Sequence, residues 1–198
     1  MFRQKANIFF IAILFNFFTF QVSSLEPNIF VQSTVNRASQ ILSDDISKNQ
    51  KIEKLKLVAK ETVDIKGIGL YTLGKYRKEI NENQKKKYND LFEKYFLKSF
   101  SSRLAEYSNP KIDVISQEVL NEKYTIVSSI LVATDERPEV KIDWRIYTKN
   151  SNKPLIRDLI IEGLSLARTQ KEEFGSIIQS NNGDIDSLFT SLEKFIKN

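Results

Sequence analysis

The sequence predicts an α+β fold with N-terminal helices, a four-stranded antiparallel sheet and two C-terminal helices. Three observations carry that expectation. Over residues 27–108 apolar side chains recur at spacings of three and four, the helical period. Over residues 111–165 the period falls towards two, the signature of half-buried strands. Beyond residue 165 the helical spacing returns. Helices, then strands, then helices is the order of a sheet with its helices gathered against it. No internal repeat, Gly/Ser linker or Pro-rich tract divides this stretch, so residues 25–198 form one domain.

The chain opens as an export signal. Arg3 and Lys5 give a positive start, residues 6–20 are apolar but for Asn7, Asn16 and Thr19, and Val22-Ser23-Ser24 offers small residues for cleavage. The alternative is an uncleaved anchor, but a spanning helix needs roughly 20 apolar residues and this run is shorter. Residues 1–24 are therefore assigned to a signal peptide and the mature protein to a compartment outside the cytoplasm. Removing 24 of 198 residues leaves 174, enough for one good core. With no cysteine there is neither a disulfide nor a lipid-modified N-terminus, so stability rests on burial.

Ile29, Val35, Ala38 and Ile41-Leu42 mark a first helix, Ile52, Leu55, Val58 and Ala59 a second, and Ile68, Leu73 and Tyr76 a third. Asn81, followed three residues later by Gln84, has the form of a reciprocal capping box. From there Tyr88, Leu91, Phe92, Tyr95, Phe96, Phe100, Leu104 and Tyr107 make an aromatic stripe wide enough to face a core, and Pro110 helps to end it.

VISQEVL, KYTIVSSILVAT, VKIDWRIYTK and KPLIRDLIIEGLSL read as four strands joined by polar turns. In the third, Val140, Ile142, Trp144 and Ile146 alternate with Lys141, Asp143, Arg145 and Tyr147, so one face is apolar and the other solvated. Two helices follow, the last with Ile185, Leu188, Phe189, Leu192, Phe195 and Ile196 inward after the turn at Asn181-Asn182-Gly183. At the junction, Glu162-Gly163 interrupts an apolar run. A catalytic corner is one reading of it, and a backbone device shaping an apolar cavity is another.

The available chemistry weighs against the first. A chain without His or Cys has no imidazole acid/base, no Ser-His-Asp or Cys-His nucleophile system and no histidine or thiolate zinc site. Asp158 and Glu162 would stand roughly 13 Å apart on an extended strand, beyond the ~5–9.5 Å of paired catalytic carboxylates. A structural hydrogen-bonding role is favoured for both, with Gly163 as the backbone break. Gly67, Gly69 and Gly74 lack a phosphate-loop arrangement and fit helix packing or a helix break. No cofactor is indicated. Loss of Arg3 and Lys5 takes 30 basic residues to 28 against 25 acidic ones, a net charge of about +3. The densest run, Lys85-Lys86-Lys87, lies on an otherwise apolar-faced helix and reads as a solvated surface, not a nucleic-acid site. Seven of the 14 phenylalanines belong to the signal, so aromatic content alone does not mark a ligand pocket.

Two stretches resemble the MlaC, or toluene-tolerance auxiliary, family. In residues 73–108, Leu73, Gly74, Tyr76, Gln84, Leu91, Phe92, Leu104 and Tyr107 follow the family's order Leu-Gly-x-Tyr, a Gln cap, Leu-aromatic and a Leu-x-x-Tyr end. In residues 157–174, Asp158, Ile161, Glu162, Gly163, Leu164, Ser165, Leu166 and Phe174 match its Asp-Val-x-Val-Glu-Gly-Val/Ile-Ser-Leu strand and following helix. The chain departs from the pattern at Pro154-Leu155-Ile156, where the family usually has an aromatic, and at Arg77, which directly follows Tyr76.

The resemblance implies a non-enzymatic periplasmic phospholipid carrier with a helix-and-sheet pocket that encloses acyl tails and leaves the headgroup near solvent. It implies partners too: an outer-membrane lipoprotein complex and an inner-membrane ABC transporter with its substrate-binding-domain subunit. Burial is worth about 0.8 kcal/mol per methylene, so a diacyl lipid with roughly 28 of them costs on the order of 20 kcal/mol to carry bare through water. A carrier must hide tails and needs no catalytic side chain. The expected pocket residues are Tyr76, Phe92, Phe96, Tyr107, Val127, Leu131, Ile142, Trp144, Ile160, Leu164 and Leu166, with Gly74, Asp158, Glu162 and Gly163 as structural motif positions. A hopanoid or other isoprenoid carrier, an enzyme using Asp158 or Glu162 with a tyrosine, and a structural envelope protein are the competing readings.

Overall fold

The computed structural model describes residues 25–135 and 137–198. The signal-peptide assignment lies outside them. Four helices come first: α1 (Pro27–Ser43), α2 (Lys48–Thr62), α3 (Ile65–Thr72) and, after a 3-10 turn at Gly74–Lys78, the long α4 (Glu82–Leu104). Strands β1 (Ile112–Asn121), β2 (Tyr124–Leu131), β3 (Val140–Tyr147), β4 (Leu155–Ile161) and β5 (Leu164–Ser165) follow, then α5 (Leu166–Ser180) and α6 (Ile185–Lys197).

Local chemistry explains where the helices start. Pro27 occupies the first turn of α1, where its missing N–H costs nothing. Ser47 and Gln50 close a capping box on α2. Asn81 and Gln84 close the expected one on α4: the Gln84 N–H donates to Asn81 Oδ1 at 2.9 Å and the Asn81 N–H to Gln84 Oε1 at 3.1 Å. Gly74, at φ +56°, breaks the helical path, so Leu73 and Tyr76 are buried from the turn beyond α3 instead of from a continuous third helix. Gly69 lets α3 lie against α4, since a Cβ there would stand 2.8 Å from the Phe92 ring.

The sheet is a fully antiparallel meander in the order β1-β2-β3-β4-β5. It has five strands where the sequence predicted four. The last expected strand folds back on itself, because Glu162 (φ +48°) and Gly163 (φ +82°) make a two-residue hairpin with both central residues in the left-handed region. Thr125, Val127, Ser129 and Leu131 of β2 and Ile142, Trp144 and Ile146 of β3 point into the core with the apolar faces of the helices. The Trp144 indole N–H donates to Ser129 Oγ at 2.8 Å, so the largest inward side chain leaves no buried donor unpaired. A bulge in β4 sets Arg157 and Asp158 together against Arg145. That extra residue inverts the strand's parity. Leu159 pairs with inward Trp144, while Ile160 pairs with Asp143 on the opposite face.

Among the helices, Tyr88 is fully buried on α4, its hydroxyl 2.8 Å from Thr72 Oγ1 and 3.1 Å from the Gly69 carbonyl it donates to. Helix α4 packs on α2, α3 and α6, whereas α5 packs on α3, α6 and β4. The two helices flank a gap over the sheet.

Candidate lipid cavity

That gap is a cavity of about 310 Å³, at the lower end of the ~300–1,000 Å³ typical of ligand sites. One wall is the aromatic face of α4, with Phe92, Tyr95, Phe96 and Phe100 at spacings of three and four. Phe96 and Phe100 stack at 5.4 Å between centroids, and Phe92 meets Phe174 of α5 edge-on at 6.2 Å. Val63 and Ile68 from the α2–α3 junction and Trp144, Ile156 and Leu159 from the sheet make the opposite side. Helix α5 supplies Leu166, Ala167 and a polar margin of Thr169, Gln170 and Glu173, which faces Ser99 and Arg103 on α4. The interior is thus mainly hydrocarbon and aromatic, and apart from Asp158 of β4 the polar groups lie along the side between α4 and α5.

The carboxylate in the wall is already engaged. Asp158, 5% exposed, accepts from Ser165 Oγ at 2.6 Å and from the Ala167 N–H at 3.0 Å, anchoring the first turn of α5 to β4. Glu162 bonds to the backbone of β3 and not to the start of α5. Its carboxylate accepts from the Lys141 N–H while its own N–H donates to the Lys141 carbonyl at 3.0 Å, so it stitches the hairpin to β3. The caps of α5 are Ser165, which accepts from the Arg168 N–H, and Asp158. Tyr95 donates to Gln170 Oε1 at 2.6 Å across the margin. Burial, and next the nearby charge of Glu173, raises its phenol pKa above the ordinary tyrosine value, so it is a neutral donor and not a base. Among the described residues no group of three or more carboxylates is placed to hold a metal ion.

Of the expected pocket residues, the structure brings Phe92, Phe96, Trp144 and Leu166 to the cavity. Tyr76, Val127, Leu131 and Ile142 are buried in the surrounding core. Ile160 faces the other side of the sheet, for the bulge reason given above. Leu164 is 58% exposed, because the hairpin carries it outward. Tyr107, beyond the end of α4, lines a second, more open groove with Lys98, Arg103, Glu106 and Arg137. Sequence reasoning missed Leu159 and the polar α5 residues. Tyr95 and Phe100 were in the aromatic stripe but not singled out.

Comparison with known proteins agrees with this architecture. The solved structure of a phospholipid-binding protein from Ralstonia solanacearum, in complex with a phospholipid, superposes with a TM-score of 0.73 at 18% identity. The match covers 87% of this chain and 98% of that one, and at such identity it establishes the fold. The MlaC protein family matches residues 32–194, from the second turn of α1 to the last turns of α6. On that match over most of its length, the chain belongs to the MlaC family.

Proposed function

We propose that the mature chain is a soluble periplasmic phospholipid carrier, moving lipid between an outer-membrane lipoprotein complex and an inner-membrane ABC transporter through the latter's substrate-binding-domain subunit. The observation that carries this reading is the cavity: a mainly aromatic and aliphatic interior with its polar groups, Asp158 apart, along one side. Such a site removes acyl chains from water without needing to recognise them chemically, and the cost it offsets scales with the methylenes hidden. The one buried carboxylate in its wall is committed to the start of α5. Membership of the MlaC family and the phospholipid held by the Ralstonia solanacearum protein support the same class of ligand. Among the described residues no helix is long and apolar enough to cross a membrane, which is compatible with a carrier released by cleavage of the signal.

Uptake from liposomes tests the proposal. Delipidated mature protein, mixed with liposomes of labelled phospholipid and separated from them, is expected to carry about one lipid per chain. No label above that on an unrelated exported protein would contradict it, and preferential uptake of an isoprenoid over phospholipid would replace the ligand class.

A further inference from the structure

The cavity and the second groove adjoin at two residues that line both, Ser99 and Arg103. This groove differs in chemistry from the cavity. Lys98, Arg103 and Arg137 line it against a single carboxylate, Glu106. None of the three cations has an ion-pair partner among the described residues, although nine such pairs occur elsewhere in them. Two of the three are nonetheless held by other contacts. Lys98 donates to the Ile196 carbonyl at 3.0 Å, which leaves further ammonium protons free. Arg137 exchanges backbone hydrogen bonds with Thr134 across a tight turn, and its guanidinium lies 5.1 Å from the Tyr107 ring centroid. Arg103 sits on the last turn of α4, one helical turn past Ser99.

We propose that this groove is a phosphate site at the mouth of the cavity, in which Arg103 and Arg137 hold a phosphodiester with Lys98 as a supporting charge. The inference rests on the carrier reading and adds a headgroup subsite to it. Two guanidinium forks and an ammonium, with no ion pair to a carboxylate among the described residues, match the acceptor oxygens of a phosphate. Because Ser99 and Arg103 line both spaces, that charge stands beside the edge of the apolar wall, where one lipid molecule can engage both. The headgroup is then selected for its phosphate, and a diacylglycerol with identical tails is disfavoured. The same chemistry would admit free inorganic phosphate, which the test separates.

The experiment compares uptake of phosphatidylglycerol and diacylglycerol with matched tails, from mixed vesicles, by the wild type and by the variant carrying R103Q and R137Q. Wild type is expected to favour the phospholipid by about tenfold or more, as befits charge-assisted contacts. The double variant should bring that ratio close to unity, and a variant with R103K and R137K should recover part of it. Equal uptake of both lipids by wild type overturns the phosphate site while leaving the carrier reading intact; uptake of neither overturns both. Adding inorganic phosphate at millimolar concentration separates the sources. An unchanged lipid ratio supports a headgroup site, whereas phosphate binding by the delipidated protein together with a lipid ratio of unity overturns it.

Discussion

Gly163 and Tyr88 show how single residues set conditions for the cavity. At Gly163 an added Cβ would meet no atom within 4 Å, yet φ is +82°. The penalty for a side chain is therefore backbone strain alone. Gly163→Val is expected to lower stability by about 1–3 kcal/mol, and Gly163→Asn by clearly less, because Asn tolerates the left-handed region; urea denaturation of both variants checks this. Tyr88 is neutral and buried, and desolvation raises its pKa well above the ordinary 10. Below that pH both folded and unfolded chains keep the proton and Tyr88 adds no pH dependence. Above it the unfolded chain releases a proton that the folded chain retains, so stability falls as pH rises. Denaturation midpoints between about pH 9 and pH 11 should fall less steeply for Tyr88→Phe than for wild type.

At the scale of elements, the joint between β4 and α5 matters most. Asp158 ties the first turn of α5 to the sheet, and α5 carries one side of the cavity. Replacing it with Ala removes a buried charged acceptor and leaves the Ser165 hydroxyl and the Ala167 N–H without it. A loss of about 2–3 kcal/mol is expected, with faster amide exchange confined to the first turns of α5. The helical stretches and the cap of α4 were legible in the sequence, because period and capping chemistry are local. Asn81 and Gln84 needed no tertiary information. The hairpin and the bulge were not legible in the same way. Glu162-Gly163 does carry a turn signal, but the strand beyond it is only two residues long, too short to show a period. The bulge at Arg157 and Asp158 leaves no mark on hydrophobicity, yet it decides that Leu159 and not Ile160 faces the cavity. Gln170 and Glu173 carry no sequence signal that marks them, since only the gap beside α4 makes them part of the cavity margin.

For the whole molecule, burial separates two populations that the sequence could not tell apart. Core and cavity wall call on the same residue types, which is why Val127 and Trp144 had equal claims although only Trp144 reaches the cavity. What distinguishes them is how α4 and α5 pack: both lie on α3 and α6, but α4 also lies on α2 and α5 on β4, a property of the assembled fold. Leu159 offers the means to separate folding from loading, since it is half-buried, lines the cavity and belongs to no hydrogen-bonded side-chain network. Leu159→Trp should fill space without disturbing the sheet register and hold the melting temperature within a few degrees of wild type, at an overpacking cost of no more than about 1–3 kcal/mol. The most direct measurement is native mass spectrometry of wild type and Leu159→Trp purified from the cell envelope without detergent. The expected result is a wild-type population heavier by the mass of one phospholipid and a Leu159→Trp population largely without it. A wild-type chain recovered only at its bare mass, or a folded Leu159→Trp chain loaded as fully as wild type, would contradict the assignment of this cavity to lipid tails.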